Sequence, residues 1–142
     1  MTIDFETLMR EHDELLRLIE RLDDVVQGEP APEIAHDALD RLRGTLHDHL
    51  AKEDAAVYPK LVGGTDQAAA TAARETMAEF QDLSAHWASY LSSWGGDRLL
   101  DDWDGFGEET RYMIAKLRAR VRRENELLYP LALAGAHIRL RA

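Results

Sequence analysis

Four stretches of this chain repeat apolar residues at three- and four-residue steps, with Gly/Pro-rich breaks between them. That period sets the apolar side chains on one stripe of a helix, and no segment alternates as a half-buried strand would. The first stretch carries Phe5, Leu8, His12, Leu15, Ile19, Leu22 and Val26, and Gly28-Glu29-Pro30-Ala31-Pro32 ends it. Pro32 suits the first turn of a second helix, whose stripe is Leu39, Leu42, Leu46, His49, Glu53, Val57 and Leu61. A turn follows at Gly63-Gly64-Thr65-Asp66, where Thr65 or Asp66 is the expected N-cap. The third helix is expected to run to about Trp94, with Thr76, Phe80, Leu83, Trp87, Tyr90 and Trp94 facing inward. After a break and a short connection, the fourth spans about Trp103 to Ala134, with Phe106, Met113, Leu117, Arg120, Glu124, Leu127 and Leu131 inward. Four helices of similar length with short connections predict an all-α fold. The expected form is an antiparallel up-down-up-down four-helix bundle, as a single domain over residues 1–142.

Two segments of this pattern echo each other. His49-x3-Glu53 leads into Val57-Tyr58-Pro59, and Arg120-x3-Glu124 leads into Leu128-Tyr129-Pro130. Each Glu-x4-Tyr-Pro closes a helical hairpin, which predicts a rough internal two-fold axis. Each Tyr-Pro is expected to end or kink its helix, since proline lacks the amide donor and crowds the preceding turn.

The polar residues on the inward stripes are His12, His49, Glu53, Arg120 and Glu124. Four residues make about one helical turn, so His49 shares a face with Glu53, and Arg120 with Glu124. Counting turns from the 28–32 break sets His12 level with His49. The same count on the third helix lands near residues 76–80, so Glu79 is expected at this level and His86 one or two turns beyond. Buried carboxylates must hold a metal, pair with a cation or stay protonated, because desolvating an unpaired charge costs several kcal/mol. The mix of imidazole and carboxylate suits iron, manganese or zinc.

At these residues the chain resembles the hemerythrin-like, HHE cation-binding family over its whole length. The resemblance rests on Glu11-His12, on His49-x3-Glu53 with Val57-Tyr58-Pro59, and on Glu124-Asn125-Glu126-Leu127-Leu128-Tyr129-Pro130. It implies a four-helix bundle around a non-haem di-iron centre used in oxygen binding, redox sensing or iron handling. His12 and His49 would serve one iron, and Glu53 and Glu124 would bridge the pair. The family's fourth-helix histidine falls at Arg120, and His86-x3-Tyr90 is no match for a third-helix histidine pair. Arg120 cannot shed its proton, so a second metal beside it is disfavoured.

Three readings remain open. One metal ion, non-haem iron first, is held by His12, His49, Glu53 and Glu124. Alternatively, no metal is bound: Arg120 pairs with the core carboxylates and the bundle is an interaction module. The third is a di-iron centre in which Tyr90 or another residue replaces a ligand. Tyr58 and Tyr129 read mainly as packing residues, with hydrogen bonds to the carboxylates as a further role.

Charge narrows the partners. Asp plus Glu number 27 against 17 Lys plus Arg, a net charge of −10. Such a chain is repelled by nucleic acid and anionic membranes. The basic run 116–123 reads as a solvated helix face, with only Arg120 turned in. No cysteine is present, which excludes disulfides, thiol chemistry and iron–sulfur ligation. No signal-like N-terminus or apolar run of about 20 residues occurs, so the expected location is the cytoplasm. No nucleophile–base pattern or phosphate loop stands out, so any chemistry would come from a metal meeting dioxygen or peroxide.

Overall fold

Asp4 starts the first helix by accepting hydrogen bonds from the Thr7 amide at 3.1 Å and the Thr7 hydroxyl at 2.6 Å. From there the computed structural model describes residues 4–134, and among them every regular element is helical. In chain order these are α1 (Phe5–Gln27), α2 (Pro32–Lys52), a π-helical turn (Glu53–Val57) and α3 (Tyr58–Val62). Next come α4 (Gln67–Glu79), α5 (Leu83–Ser93), α6 (Arg98–Asp101), α7 (Trp103–Arg123) and a second π-helical turn (Glu124–Leu128). Helix continues over 129–134. Pro32 opens α2, and Asp66 caps α4 by accepting from the Ala69 amide.

The Tyr-Pro elements neither end nor break their helices. In both, the tyrosine amide bonds to the carbonyl of the glutamate five residues back: Tyr58 to Glu53, and Tyr129 to Glu124. Widening the turn by one residue makes room for a proline ring that an α-turn would force against the carbonyl four residues earlier. The extra residue also rotates the downstream helix. After Glu124 the buried positions are Leu128 and Tyr129, whereas Leu127 and Leu131, expected inward, are only half-buried.

The third expected helix is two. A turn over residues 80–82 separates α4 from α5, with the Leu83 amide bonded to the Phe80 carbonyl. Phe80-Gln81-Asp82 contains neither Gly nor Pro, so the sequence carries no breaker there. The turn falls where small side chains give way to large ones. Ala69, Ala72 and Ala73 of α4 join one apolar cluster, and Phe80, Leu83, Trp87, Tyr90 and Trp94 join another.

Those two clusters sandwich a polar layer. Along α1 the order is Leu8, His12, Leu15; along α2 and its π-turn it is Leu46, His49, Glu53, Val57. Along α7 and its π-turn it is Leu117, Glu124, Leu128. α1 packs on both α2 and α7, α5 and α6 pack on α7, and α4 packs on α3 and the second π-turn. No helix among the described residues is long and apolar enough to cross a membrane.

Glycine marks two different situations. At Gly107 the Cβ of any other residue would lie 3.3 Å from Arg111 and 3.7 Å from the Val26 carbonyl of α1, a close approach of two helices. At Gly44, exposed in mid-α2, an added Cβ would meet nothing within 4 Å. Gly44→Ala should therefore raise the urea unfolding midpoint, stabilising the protein by roughly 0.5–1 kcal/mol.

Candidate metal centre

His12 from α1, His49 from α2, and Glu53 and Glu124 from the two π-turns converge between the apolar clusters. One ligand atom from each lies within 4.8 Å of those of the other three. Their exposures are 0, 2, 0 and 1% respectively, so the group is sealed from solvent.

Both imidazoles are gripped from behind. His12 Nδ1 lies 2.6 Å from Asn125 Oδ1, and His49 Nδ1 lies 2.8 Å from Glu11 Oε1. Each partner is an acceptor, so each Nδ1 carries the proton and each Nε2 points its remaining valence into the cluster. There His12 Nε2 meets Glu124 Oε1 at 2.9 Å, and His49 Nε2 meets Glu53 Oε1 at 3.0 Å. The second pair is close but poorly aligned, and both of its atoms are buried without a hydrogen-bond partner. Two acceptors aimed at one another need a shared proton or a cation between them.

The tyrosines cross over. Tyr58 Oη, on the helix of Glu53, donates to Glu124 Oε2 at 2.6 Å. Tyr129 Oη, on the helix of Glu124, donates to Glu53 Oε2 at 2.8 Å. This reciprocal exchange is the two-fold echo of Glu-x4-Tyr-Pro expressed as hydrogen bonds. In an unbroken α-helix a residue five positions on points about 140° away; the π-turn brings each tyrosine back toward the carboxylate layer. Tyr129 also stacks on His12, with ring centroids 5.0 Å apart and 9° between the planes.

Arg120 enters from the rim, 15% exposed, with its guanidinium over the Tyr58 ring at 5.4 Å. Its Nε lies 3.3 Å from Glu124 Oε2, but its nearest terminal nitrogen is 3.8 Å from Glu53 Oε1, beyond hydrogen-bond reach. A small cavity beside His49, Glu53, Arg120 and Glu124 has a volume of about 10 Å³, room for roughly one water-sized sphere.

These surroundings push the two carboxylates apart. Burial drives Glu124 upward, yet its contacts with His12 and Glu53, the charge of Arg120 and the Tyr58 hydroxyl hold it down at about 2. Burial and the neighbouring Glu124 charge raise Glu53, with His49 opposing. Burial lowers His49, but Glu53 and Glu11 outweigh that and raise it. Burial and adjacent carboxylates keep both tyrosine hydroxyls protonated. Glu124 is thus the fixed anion, while Glu53 and His49 compete for a proton.

Glu79, expected at this level, and His86, expected one or two turns beyond it, both lie outside the cluster. Glu79 is exposed and pairs with Arg123, and His86 is exposed on α5. Glu79 falls off the buried stripe of α4, where Thr76 is the buried polar residue, and His86 falls off that of α5 beyond the turn at 80–82. The Thr76 hydroxyl is already bonded to the Ala72 carbonyl. Tyr90, the candidate replacement ligand, is also absent from the cluster, its hydroxyl 2.6 Å from Thr110 Oγ1. Conversely, the grip of Glu11 and Asn125 on the imidazoles is not legible in the stripes. Their one sequence signal is adjacency, Glu11 to His12 and Asn125 to Glu124.

Residues 4–132 match the family model for the hemerythrin HHE cation-binding domain. Comparison with curated proteins and with solved structures returns no match.

Among the described residues Tyr129 is the one aligned donor to Glu53, whereas Glu124 has two, Tyr58 and Arg120. Removing a hydrogen bond to a buried charged group costs about 1.5–3 kcal/mol. Tyr129→Phe should therefore destabilise the metal-free protein by that amount in urea unfolding, and Tyr58→Phe by less.

Proposed function

We propose that this chain, which belongs to the hemerythrin HHE cation-binding family, holds one non-haem divalent metal ion, iron foremost, among His12, His49, Glu53 and Glu124. In this reading the molecule is a single-domain, antiparallel up-down-up-down four-helix bundle of the cytoplasm that senses dioxygen or peroxide. The observation that carries it is the buried, unpartnered pair His49 Nε2 and Glu53 Oε1. Burying such atoms unsatisfied costs about 1–3 kcal/mol each, and Arg120 is too far from Glu53 to relieve them. A cation bound between the two imidazoles and the two carboxylates satisfies all four groups at once.

Charge supports one ion over two. Glu53 and Glu124 balance one divalent ion, and Arg120 already adds a further positive charge. A second divalent ion about 5 Å from the guanidinium would be repelled by about 7 kcal/mol at an effective dielectric of about 20. No other buried carboxylate among the described residues offsets that.

When bound, non-haem iron supplies a redox-active centre. The chain's own part is to hold it. Glu11 and Asn125 fix the imidazoles, Tyr58 and Tyr129 fix one oxygen of each carboxylate, and the two apolar clusters exclude water. The second reading, a metal-free bundle acting as an interaction module, draws support from the 3.3 Å contact of Arg120 with Glu124.

Metal analysis by mass spectrometry separates the two. Untagged protein grown with added iron should carry close to one equivalent of iron or manganese, and His49→Ala should lose it. A value near zero, with no uptake on anaerobic Fe(II) addition, overturns the metal reading. The ion-pair reading then expects Arg120→Ala to cost about 3–5 kcal/mol, because a buried carboxylate is stranded. Two equivalents would overturn the argument from Arg120.

A further inference from the structure

The two imidazoles of the cluster face inward alike but are held from behind by unlike groups. Behind His12 stands a neutral amide, Asn125 Oδ1, at 2.6 Å. Behind His49 stands a carboxylate, Glu11 Oε1, at 2.8 Å. The other oxygen of Glu11 accepts from the ammonium of Lys52, so the carboxylate is tied at both ends. Glu11 directly precedes His12 on α1, and Lys52 directly precedes Glu53 on α2. The clamp therefore bridges the two helices immediately outside the cluster. Glu11 is 22% exposed and Lys52 is exposed, whereas the ligand atoms they act through are buried.

We propose that Glu11, anchored by Lys52, is a positioning residue that makes His49 the dominant nitrogen donor of the cluster, with His12 the weaker one. This rests on the metal-holding reading above. A carboxylate accepting the Nδ1 proton fixes the tautomer and pushes electron density toward Nε2, strengthening it as a ligand. An amide oxygen fixes the tautomer without supplying that charge. The two functions of Glu11 are thus separable by substitution. Glu11→Gln keeps an acceptor and loses the charge; Glu11→Leu loses both. The reverse change, Asn125→Asp, adds the missing charge behind His12.

The test uses the full-length protein with zinc as the probe. Nitrogen-15 NMR of the histidine side chains in metal-free protein, buffered above the imidazole titration range, reads the tautomers. Competition with a chelator reads zinc affinity. In wild type, His49 should be the Nδ1–H tautomer. Glu11→Gln should keep that tautomer and bind zinc about tenfold more weakly, within the 10–100-fold range typical of such outer partners. Glu11→Leu should lose the tautomer preference and bind more weakly still. Asn125→Asp should bind more tightly than wild type, and in the double variant Glu11→Gln/Asn125→Asp affinity should return toward wild type. That recovery separates a charge effect from a loss of folding, which a second substitution would not restore. Wild-type zinc affinity in Glu11→Gln, or an Nε2–H tautomer of His49 in wild type, overturns the proposal. A wild-type protein that takes up no zinc or iron overturns the metal reading itself; the metal-free tautomer spectra still report whether Glu11 sets His49.

Discussion

Two carboxylates lie with almost no exposure between two apolar clusters, and the rest of the molecule is arranged around that fact. Each would cost several kcal/mol to bury as a lone charge. The surroundings answer with directed groups: an imidazole opposite each carboxylate, a tyrosine hydroxyl on one oxygen of each, and a guanidinium at the rim. The answer is unequal. Glu124 takes two donors, Tyr58 and Arg120, while Glu53 has one aligned donor and an inward oxygen facing an inward nitrogen. That imbalance is what a cation would remove.

The π-turns make the arrangement possible. Each begins at a cluster glutamate and ends just before its Tyr-Pro. Proline penalises a tight turn, the turn opens by one residue, and the tyrosine swings over the layer to reach the glutamate of the opposite helix. A residue that reads as a helix breaker acts here as a phase shifter. π-turns are uncommon and gather at functional sites, and here they occur twice, at matching positions beside the polar layer.

Much of this is legible in the sequence, for identifiable reasons. His12, His49, Glu53 and Glu124 interrupt apolar stripes of constant period, and turn counting from short loops places them at one level. The echo of Glu-x4-Tyr-Pro reappears as the paired π-turns and the crossed tyrosine hydrogen bonds. The failures are equally particular. Glu79 lies off the buried stripe of α4, and the third stripe is split by a turn at residues 80–82, where no Gly or Pro warns of it. Leu127 and Leu131 point inward only under a 3.6-residue period that the second π-turn does not keep. Glu11 and Asn125 sit off the apolar stripes, and only the close packing of α1 against α2 and of the second π-turn against His12 gives them their partners.

By itself, the sequence determined the all-helical character, the family and the four residues of the buried polar layer, because each follows from local periodicity and residue chemistry. Tertiary structure decided which hydroxyl serves which carboxylate, which acceptor holds each imidazole, and how near Arg120 comes to Glu53 and Glu124. Those are distances between helices far apart in the chain. They depend on helical phase, and one inserted residue in a turn shifts that phase enough to change every partner beyond it.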